Sequence, residues 1–154
     1  MPNRNCVRCD FRSDLEMLEV VQLIADHLGR LAGLDEDSVH WVGVAVRESV
    51  INAIKHGNGS DAGKRVYVEF TPLPAGPSNG LCICVRDEGC GFDPAGLPDP
   101  LAPENVLKST GRGIFLIRSF MDEIVLRRAP EGGMEVRMIK RGQSAPSSST
   151  TPSQ

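Results

Sequence analysis

Three polar side chains recur at helical spacing within residues 48–57, where the sequence reads ESVINAIKHG. Glu48 and Asn52 are four residues apart and Lys55 follows three residues later, so an α-helix places all three along one side. There a carboxylate could accept a proton from an attacking hydroxyl or water. An amide oxygen could ligate Mg²⁺, and an ammonium could neutralise phosphate oxygens. A solvated helix face has the same pattern, so these residues indicate a site only if a cavity lies beside them.

A second group follows the β-rich run LCICVR and reads DEGCGF at residues 87–92. Asp87 then stands at the end of a strand, where its carboxylate can accept hydrogen bonds, for example from an adenine amino group. Gly89 and Gly91 permit positive φ angles and a close approach of the backbone to a ligand. An ordinary glycine-rich turn is the alternative for this segment taken alone.

A third group, STGRG at residues 109–113, opens an apolar run that predicts a helix. A helix N-terminus preceded by small residues presents backbone N–H groups to an anion. Thr110 would add a hydroxyl and Arg112 a cation, beside Gly111 and Gly113. The alternative is a helix cap that binds nothing. The segment matches neither the P-loop nor the dinucleotide-binding fingerprint.

Periodic patterns distribute these groups over strands and helices. The predicted helices span residues 14–33, 35–57 and 111–122, the first with Ser13 or Asp14 as its N-cap. The predicted strands span residues 5–11, 64–71, 81–86, 123–128 and 134–140, the last two forming a hairpin. Because strands come in neighbouring pairs, this order predicts an α+β fold. We expect a two-layer sandwich with helices on one face of a mixed, mostly antiparallel sheet.

The chain reads as one domain over residues 1–141, followed by a tail. Residues 142–154 contain only small and polar residues and are predicted to be a disordered Ser/Thr/Pro tail. Residues 92–110 are proline-rich and have little periodicity. A long irregular connection in a compact domain is usually functional, so this segment is predicted to be a lid.

Composition excludes several classes of protein. The 154 residues carry a formal net charge of −3, which argues against a nucleic-acid binder with a basic surface. No apolar run approaches the roughly 20 residues that a membrane helix needs. Residues 1–10 contain no apolar stretch typical of a secretory signal, so the expected location is cytoplasmic.

The five cysteines leave two interpretations open. Their odd number and the missing export signal argue against a disulfide framework. Cys6, Cys9, Cys82 and Cys84 could in principle offer four thiolates to zinc, although their spacing lacks the usual paired knuckles. Buried, reduced thiols that act as small apolar side chains are the favoured interpretation.

Taken together, the order and spacing of the three groups resemble the Bergerat-type ATPases, which include gyrase, Hsp90, histidine kinases and MutL. Within that superfamily, ESVINAIKHG, VRDEGCGFDP and PDPLAPENVLKSTGRGIFLIRSFMDEI are similar to the bacterial anti-sigma factor serine kinases. The resemblance covers residues 10–140.

The resemblance implies a role for each matching residue. It makes Glu48 the general base toward a target serine, Asn52 the Mg²⁺ ligand and Asp87 the hydrogen-bond acceptor for adenine. The further ATP contacts that it implies are Lys55, Gly89, Gly91, Thr110, Gly111, Arg112 and Gly113. Two residues depart from the wider pattern: Glu88 stands where asparagine is common, and Cys90 places an oxidisable thiol between two glycines.

The implied activity is phosphoryl transfer from Mg·ATP to a serine of an anti-anti-sigma factor, a STAS-type protein. The family also implies that the chain sequesters a sigma factor and forms a homodimer. One alternative is a regulatory module that binds ATP and its partners without transferring phosphate. Another is a detached histidine-kinase domain, for which His27 and His40 are the helical candidates for a phosphorylated histidine.

Overall fold

A computed structural model describes residues 5–74, 79–89 and 117–142 of the chain. Five strands form one sheet in the order β1-β2-β3-β5-β4. The strands are β1 (Val7–Arg12), β2 (Arg65–Pro72), β3 (Gly80–Arg86), β4 (Glu123–Arg128) and β5 (Met134–Arg141). The sequence predicts a mixed, mostly antiparallel sheet. In the part of the sheet that the structure describes, every pair of neighbouring strands is antiparallel.

Helix α1 (Met17–Leu31) carries the apolar stripe that the sequence predicts, but it begins later than expected. Its N-cap position is Glu16, so the prediction of Ser13 or Asp14 as the cap is wrong. Asp14 instead accepts a hydrogen bond from the Glu16 amide in a turn before the helix. The helix ends as predicted at Gly33, whose φ of 86° favours glycine.

Helix α2 (Glu36–Asn52) begins where the sequence predicts. The Asp35 carboxylate accepts a hydrogen bond from the Ser38 amide at 2.7 Å, and Glu36 and Asp37 complement the positive end of the helix. The helical path continues to Gly57 through a π-helical turn, Ala53–Gly57. The predicted end of the second helix is therefore confirmed, although its last turn is wider than an α-helix.

The core lies between the sheet and the two helices, because each element turns one apolar face inward. On β2 the inward residues are Val66, Val68 and Phe70, and on β3 they are Leu81, Ile83 and Val85. Register places Val68 opposite Val85 and Phe70 opposite Ile83. The α2 face that is buried against them consists of Val39, Val42, Val46, Val50 and Ala53. This arrangement confirms the two-layer α+β prediction.

Only part of the predicted third helix can be compared with the structure. Residues 117–120 are helical, and Ile117 and Met121 are buried in the core. Phe120 stacks on Trp41 of α2, with ring centroids 3.8 Å apart and an interplanar angle of 9°. The predicted lid at residues 92–110 and the tail from residue 143 onward lie outside the described residues.

Within residues 5–74, 79–89 and 117–142, no helix is long and apolar enough to cross a membrane.

Paired leucine substitutions test where the core lies. Leu81 is 0 % exposed and Leu23 is 63 % exposed. We expect Leu81→Ala to lower the free energy of unfolding by about 2–5 kcal/mol, because it removes buried methyl groups and leaves a cavity. Leu23→Ala should change it by less than about 0.5 kcal/mol. Urea denaturation measures both, and equal losses for the two variants would contradict this assignment of the core.

Candidate functional site

The polar side of α2 holds two of the predicted site residues. Glu48 and Asn52 are half-buried, one helical turn apart, on the helix whose opposite face packs into the core. Between them Ser49 is buried, and its hydroxyl donates to the Ala45 carbonyl at 2.8 Å. The core therefore fixes the rotation of α2, and with it the side on which Glu48 and Asn52 lie.

The π-helical turn changes the expected position of Lys55. In this turn the Asn58 amide donates to the carbonyl of Ala53, five residues earlier, at 2.8 Å. Lys55 lies inside the turn and is exposed. The α-helical spacing used to align Lys55 with Glu48 and Asn52 therefore does not hold at this residue. Single π turns of this kind occur often at functional sites.

Asp87 is held at the end of β3 by backbone amides. It is 4 % exposed, and its Oδ1 accepts hydrogen bonds from the amides of Gly89 at 2.9 Å and Met134 at 3.1 Å. Its own amide donates to the Met134 carbonyl at 3.1 Å. Two backbone N–H bonds hold this carboxylate in one orientation. Asp87 is thus a fixed acceptor with the chemistry required to recognise an amino group.

Glycines surround this carboxylate so closely that larger residues would collide with it. A Cβ at Gly57 would lie 2.0 Å from Asp87 Oδ2, and a Cβ at Gly89 would lie 1.9 Å from the Gly57 carbonyl oxygen. A Cβ at Gly133, where φ is 82°, would lie 2.1 Å from the Asp87 carbonyl oxygen. The end of the π turn, the end of β3 and the β4–β5 hairpin therefore meet around Asp87. Of these glycines, the sequence analysis predicted only Gly89 as a site residue.

Asn58 is a structural residue of the site that sequence analysis missed. It is 2 % exposed, and its Nδ2 donates to the Ser13 hydroxyl at 2.8 Å and to the Arg65 carbonyl at 2.9 Å. Its Oδ1 accepts from the Glu88 amide at 2.8 Å. One side chain therefore joins the π turn to the end of β1, the start of β2 and the residue after Asp87.

Glu88, the residue that departs from the superfamily pattern, belongs to the same network. Its amide is bound by Asn58, and its Oε1 accepts a hydrogen bond from the backbone amide of Arg65. The acidic side chain thus reaches the start of β2 and adds a contact between β2 and the segment after β3.

The remaining predicted contacts cannot be compared with the geometry. Gly91, Thr110, Gly111, Arg112 and Gly113 lie outside the described residues, and so does Cys90. The structure thus brings Asp87 and Gly89 together with the end of the π turn, which continues the helix that carries Glu48 and Asn52.

The cysteines do not form the alternative zinc site. Cys9 on β1 packs against the core. Cys82 and Cys84 on β3 face away from it, since they alternate with the core residues Leu81, Ile83 and Val85. Across the described ranges, no group of three or more His, Cys, Asp or Glu side chains is placed to hold a metal ion. Cys82 is buried, but Cys6 is exposed, so the interpretation as buried thiols is wrong for Cys6.

Gly57→Ala tests the contact between the π turn and Asp87. The new methyl group must displace the Asp87 carboxylate or the turn, so we expect a loss of about 1–3 kcal/mol in the free energy of unfolding. Gly63→Ala is the matched control, since its nearest neighbour, Asp61 Oδ1, is 3.2 Å away. Amide hydrogen exchange should also accelerate at Gly89 and Met134 in the first variant only. Equal stability of the two variants would contradict the close packing.

This chain is similar to known proteins of one family. Residues 11–140 match the family described as the histidine kinase-like ATPase domain. The serine-protein kinase RsbW of Staphylococcus aureus is 28% identical over 134 residues, which cover 81% of this chain and 79% of the relative. RsbW from the JH9 and Newman strains gives the same values.

A solved structure supports the fold independently. It contains the RsbU and RsbW domains of Rv1364c from Mycobacterium tuberculosis, and it matches this chain with a TM-score of 0.62 at 14% identity. The match covers 92% of this chain and 34% of that chain, so the present chain spans about a third of the solved one. These findings confirm the resemblance to the anti-sigma kinases among the Bergerat-type ATPases, and the chain belongs to the histidine kinase-like ATPase domain family.

Proposed function

We propose that this chain is a Mg·ATP-dependent serine kinase that phosphorylates an anti-anti-sigma factor of the STAS type. The observation that carries the proposal is the packing of Gly57, at the end of the helix with Glu48 and Asn52, against the fixed carboxylate of Asp87. Family membership and relatives named serine-protein kinase supply the class of reaction.

Asp87 is the proposed acceptor for the adenine amino group. Its carboxylate is oriented by the amides of Gly89 and Met134, so it can select a hydrogen-bond donor without first reorganising. Gly57 leaves the space beside Oδ2 free of its own side chain. The proposed role of Gly89 is to let the backbone after Asp87 pass close to the Gly57 carbonyl, where a side chain would collide. Gly91 is proposed to allow a similarly close approach of the backbone on the adenine side.

Asn52 is the proposed ligand for Mg²⁺. Its amide oxygen is a hard donor, and Mg²⁺ generally keeps several waters and phosphate oxygens beside one or two protein ligands. A half-buried single amide at the end of α2 fits that requirement without a cluster of carboxylates. When bound, the ion would neutralise charge on the phosphate oxygens.

Glu48 is the proposed general base. As the serine oxygen bonds to the γ-phosphorus, its proton would pass to the Glu48 carboxylate, and the bond from phosphorus to the β,γ-bridging oxygen would break to release ADP. Because α2 is fixed by its buried apolar face, Glu48 is held at a constant position relative to Asn52. The further proposed phosphate contacts are Lys55, Thr110, Gly111, Arg112 and Gly113.

The proposed partners follow from the same family assignment. The chain would sequester a sigma factor in the cytoplasm, act as a homodimer, and release or retain its partners according to the phosphorylation of the anti-anti-sigma factor. The net charge of −3 supports contacts with proteins rather than with nucleic acid. A module that binds ATP without transferring phosphate is the second candidate, and it would require no general base at Glu48.

Two substitutions on α2 separate binding from transfer. We expect Asn52→Ala to weaken Mg·ATP binding at least about tenfold, because it removes the metal ligand. Glu48→Gln should keep nucleotide affinity within about twofold and slow phosphoryl transfer by about 10²–10⁴-fold. Calorimetric titration measures the first quantity and single-turnover assays the second. Glu19→Gln on the exposed side of α1 is the matched control. Transfer at the parent rate by Glu48→Gln would remove the base assignment.

Incubation with γ-labelled ATP, Mg²⁺ and the cognate STAS-type protein tests the activity itself. The expected product is an acid-stable phosphoserine on the partner. Pull-downs with ATP or ADP identify the proteins that this chain retains, and phosphosite mapping of those proteins locates the serine. A complex that forms without labelling would support the non-catalytic candidate. Acid-labile label on His27 or His40 of this chain would instead indicate a histidine kinase.

A further inference from the structure

The sheet face opposite the helices carries a pair of thiols that the proposed kinase reaction does not use. Cys82 and Cys84 alternate on β3 with Leu81, Ile83 and Val85, which are buried in the core, so both thiols point to the opposite face. The register places Cys82 between Thr71 and Ile139, and Cys84 between Glu69 and Arg137. The pair therefore lies in the middle of the sheet, on its central strand.

Arg137 reaches from its own position opposite Cys84 to the neighbouring thiol. Its Nε donates a hydrogen bond to Cys82 Sγ at 3.5 Å, and its side chain is exposed. Cys82 itself is 8 % exposed. Exposed side chains change rotamer within nanoseconds, so Arg137 can break this contact on that timescale. The guanidinium that donates to this thiol also stabilises its thiolate.

A cavity lies beside Cys84 and Arg137 on this face of the sheet. It has a volume of about 350 Å³ and is lined by Glu69, Cys84, Val125, Arg127, Glu135 and Arg137. A volume in this range is sufficient for a small organic ligand. Cys84 and Arg137 both line it, and both are neighbours of Cys82.

The charges around the pair favour one thiolate at neutral pH. A hydrogen bond from Cys84 and the charge of Arg137 lower the pKa of Cys82 to about 6, against the effects of burial and Glu69. The hydrogen bond with Cys82, together with burial, raises the pKa of Cys84, and Glu135 and Glu69 act in the same direction. The hydrogen bond to Cys82 raises the pKa of Arg137, and the charge of Glu123 on β4 acts in the same direction. By contrast, burial raises the pKa of Cys9 on the other face.

We propose that Cys82 is a site of thiol–disulfide exchange, at which a small-molecule disulfide such as oxidised glutathione forms a mixed disulfide. The Cys82 thiolate attacks one sulfur of the disulfide, the sulfur–sulfur bond breaks, and the departing thiolate takes a proton from water. Cys84 does not displace the adduct readily. Residues two apart on a strand have Cα atoms about 6.6 Å apart, near the upper limit for a disulfide, and β3 is paired on both sides.

The full chain, treated with oxidised glutathione between pH 5 and 8, provides the test. Peptide mass spectrometry with fragmentation gives the rate at each cysteine. We expect exchange at Cys82 to have its half-maximal rate near pH 6. A rate at Cys82 that falls tenfold per pH unit below pH 8, as for an ordinary thiol, would overturn the proposal.

Four variants locate the origin of the reactivity. Arg137→Met should move the midpoint of the Cys82 rate upward by about one pH unit or more, whereas Arg47→Met on α2, an equal loss of charge, should not. Cys84→Ser should keep the adduct on residue 82, and Cys82→Ser should lose it. An unchanged midpoint in Arg137→Met, or an adduct on Cys84, would overturn the assignment. These readouts do not involve nucleotide, so they are independent of the proposed kinase activity.

Discussion

The contact on which the site depends is the approach of the Gly57 backbone to Asp87 and Gly89. No side chain fits between them, because a Cβ on Gly57 or Gly89 would lie within about 2 Å of existing atoms. The end of the second helix and the end of the central strand are therefore fixed relative to each other by backbone contact. This contact sets the relation between Asn52, at the end of α2, and the carboxylate of Asp87.

The π-helical turn and Asn58 make that contact compatible with a buried polar network. An α-helical ending would direct the residues after Asn52 differently, whereas the wider turn brings Gly57 against Asp87 and buries Asn58. A buried amide is costly unless it is hydrogen-bonded. The side chain of Asn58 meets this requirement through Ser13, Arg65 and Glu88, so the residue that follows the helix also joins three strands.

The fold could be predicted from the sequence because its main signals are local. The spacing of Val39, Val42, Val46 and Val50 defines the buried face of α2, and alternation in β2 and β3 defines the inner face of the sheet. The start of α1 was placed too early, since Asp14 caps a short turn rather than the helix. Capping residues give the same local signal in both cases.

The site was predictable only in part, because its geometry depends on contacts between distant segments. Glu48, Asn52, Asp87 and Gly89 have residue types that indicate their chemistry. In the sequence, Gly57 and Gly133 cannot be told from ordinary turn glycines. Only the structure shows that both lie against Asp87. The contact between Cys82 and Arg137 likewise depends on segments that are distant in the sequence.

Alternation predicts that Cys82 and Cys84 share a face of β3, but the sequence does not show that Arg137, 55 residues from Cys82, lies within hydrogen-bonding distance. Cross-strand register brings those residues together, and it is fixed by the inward apolar residues rather than by the thiols. The buried residues on the inner face of β3 therefore determine which side chains are neighbours on its outer face. A shift of one residue between β3 and β5 would bury Arg137 in the core and separate it from Cys82, so the same hydrophobic burial that specifies the register also maintains the thiol–guanidinium pair.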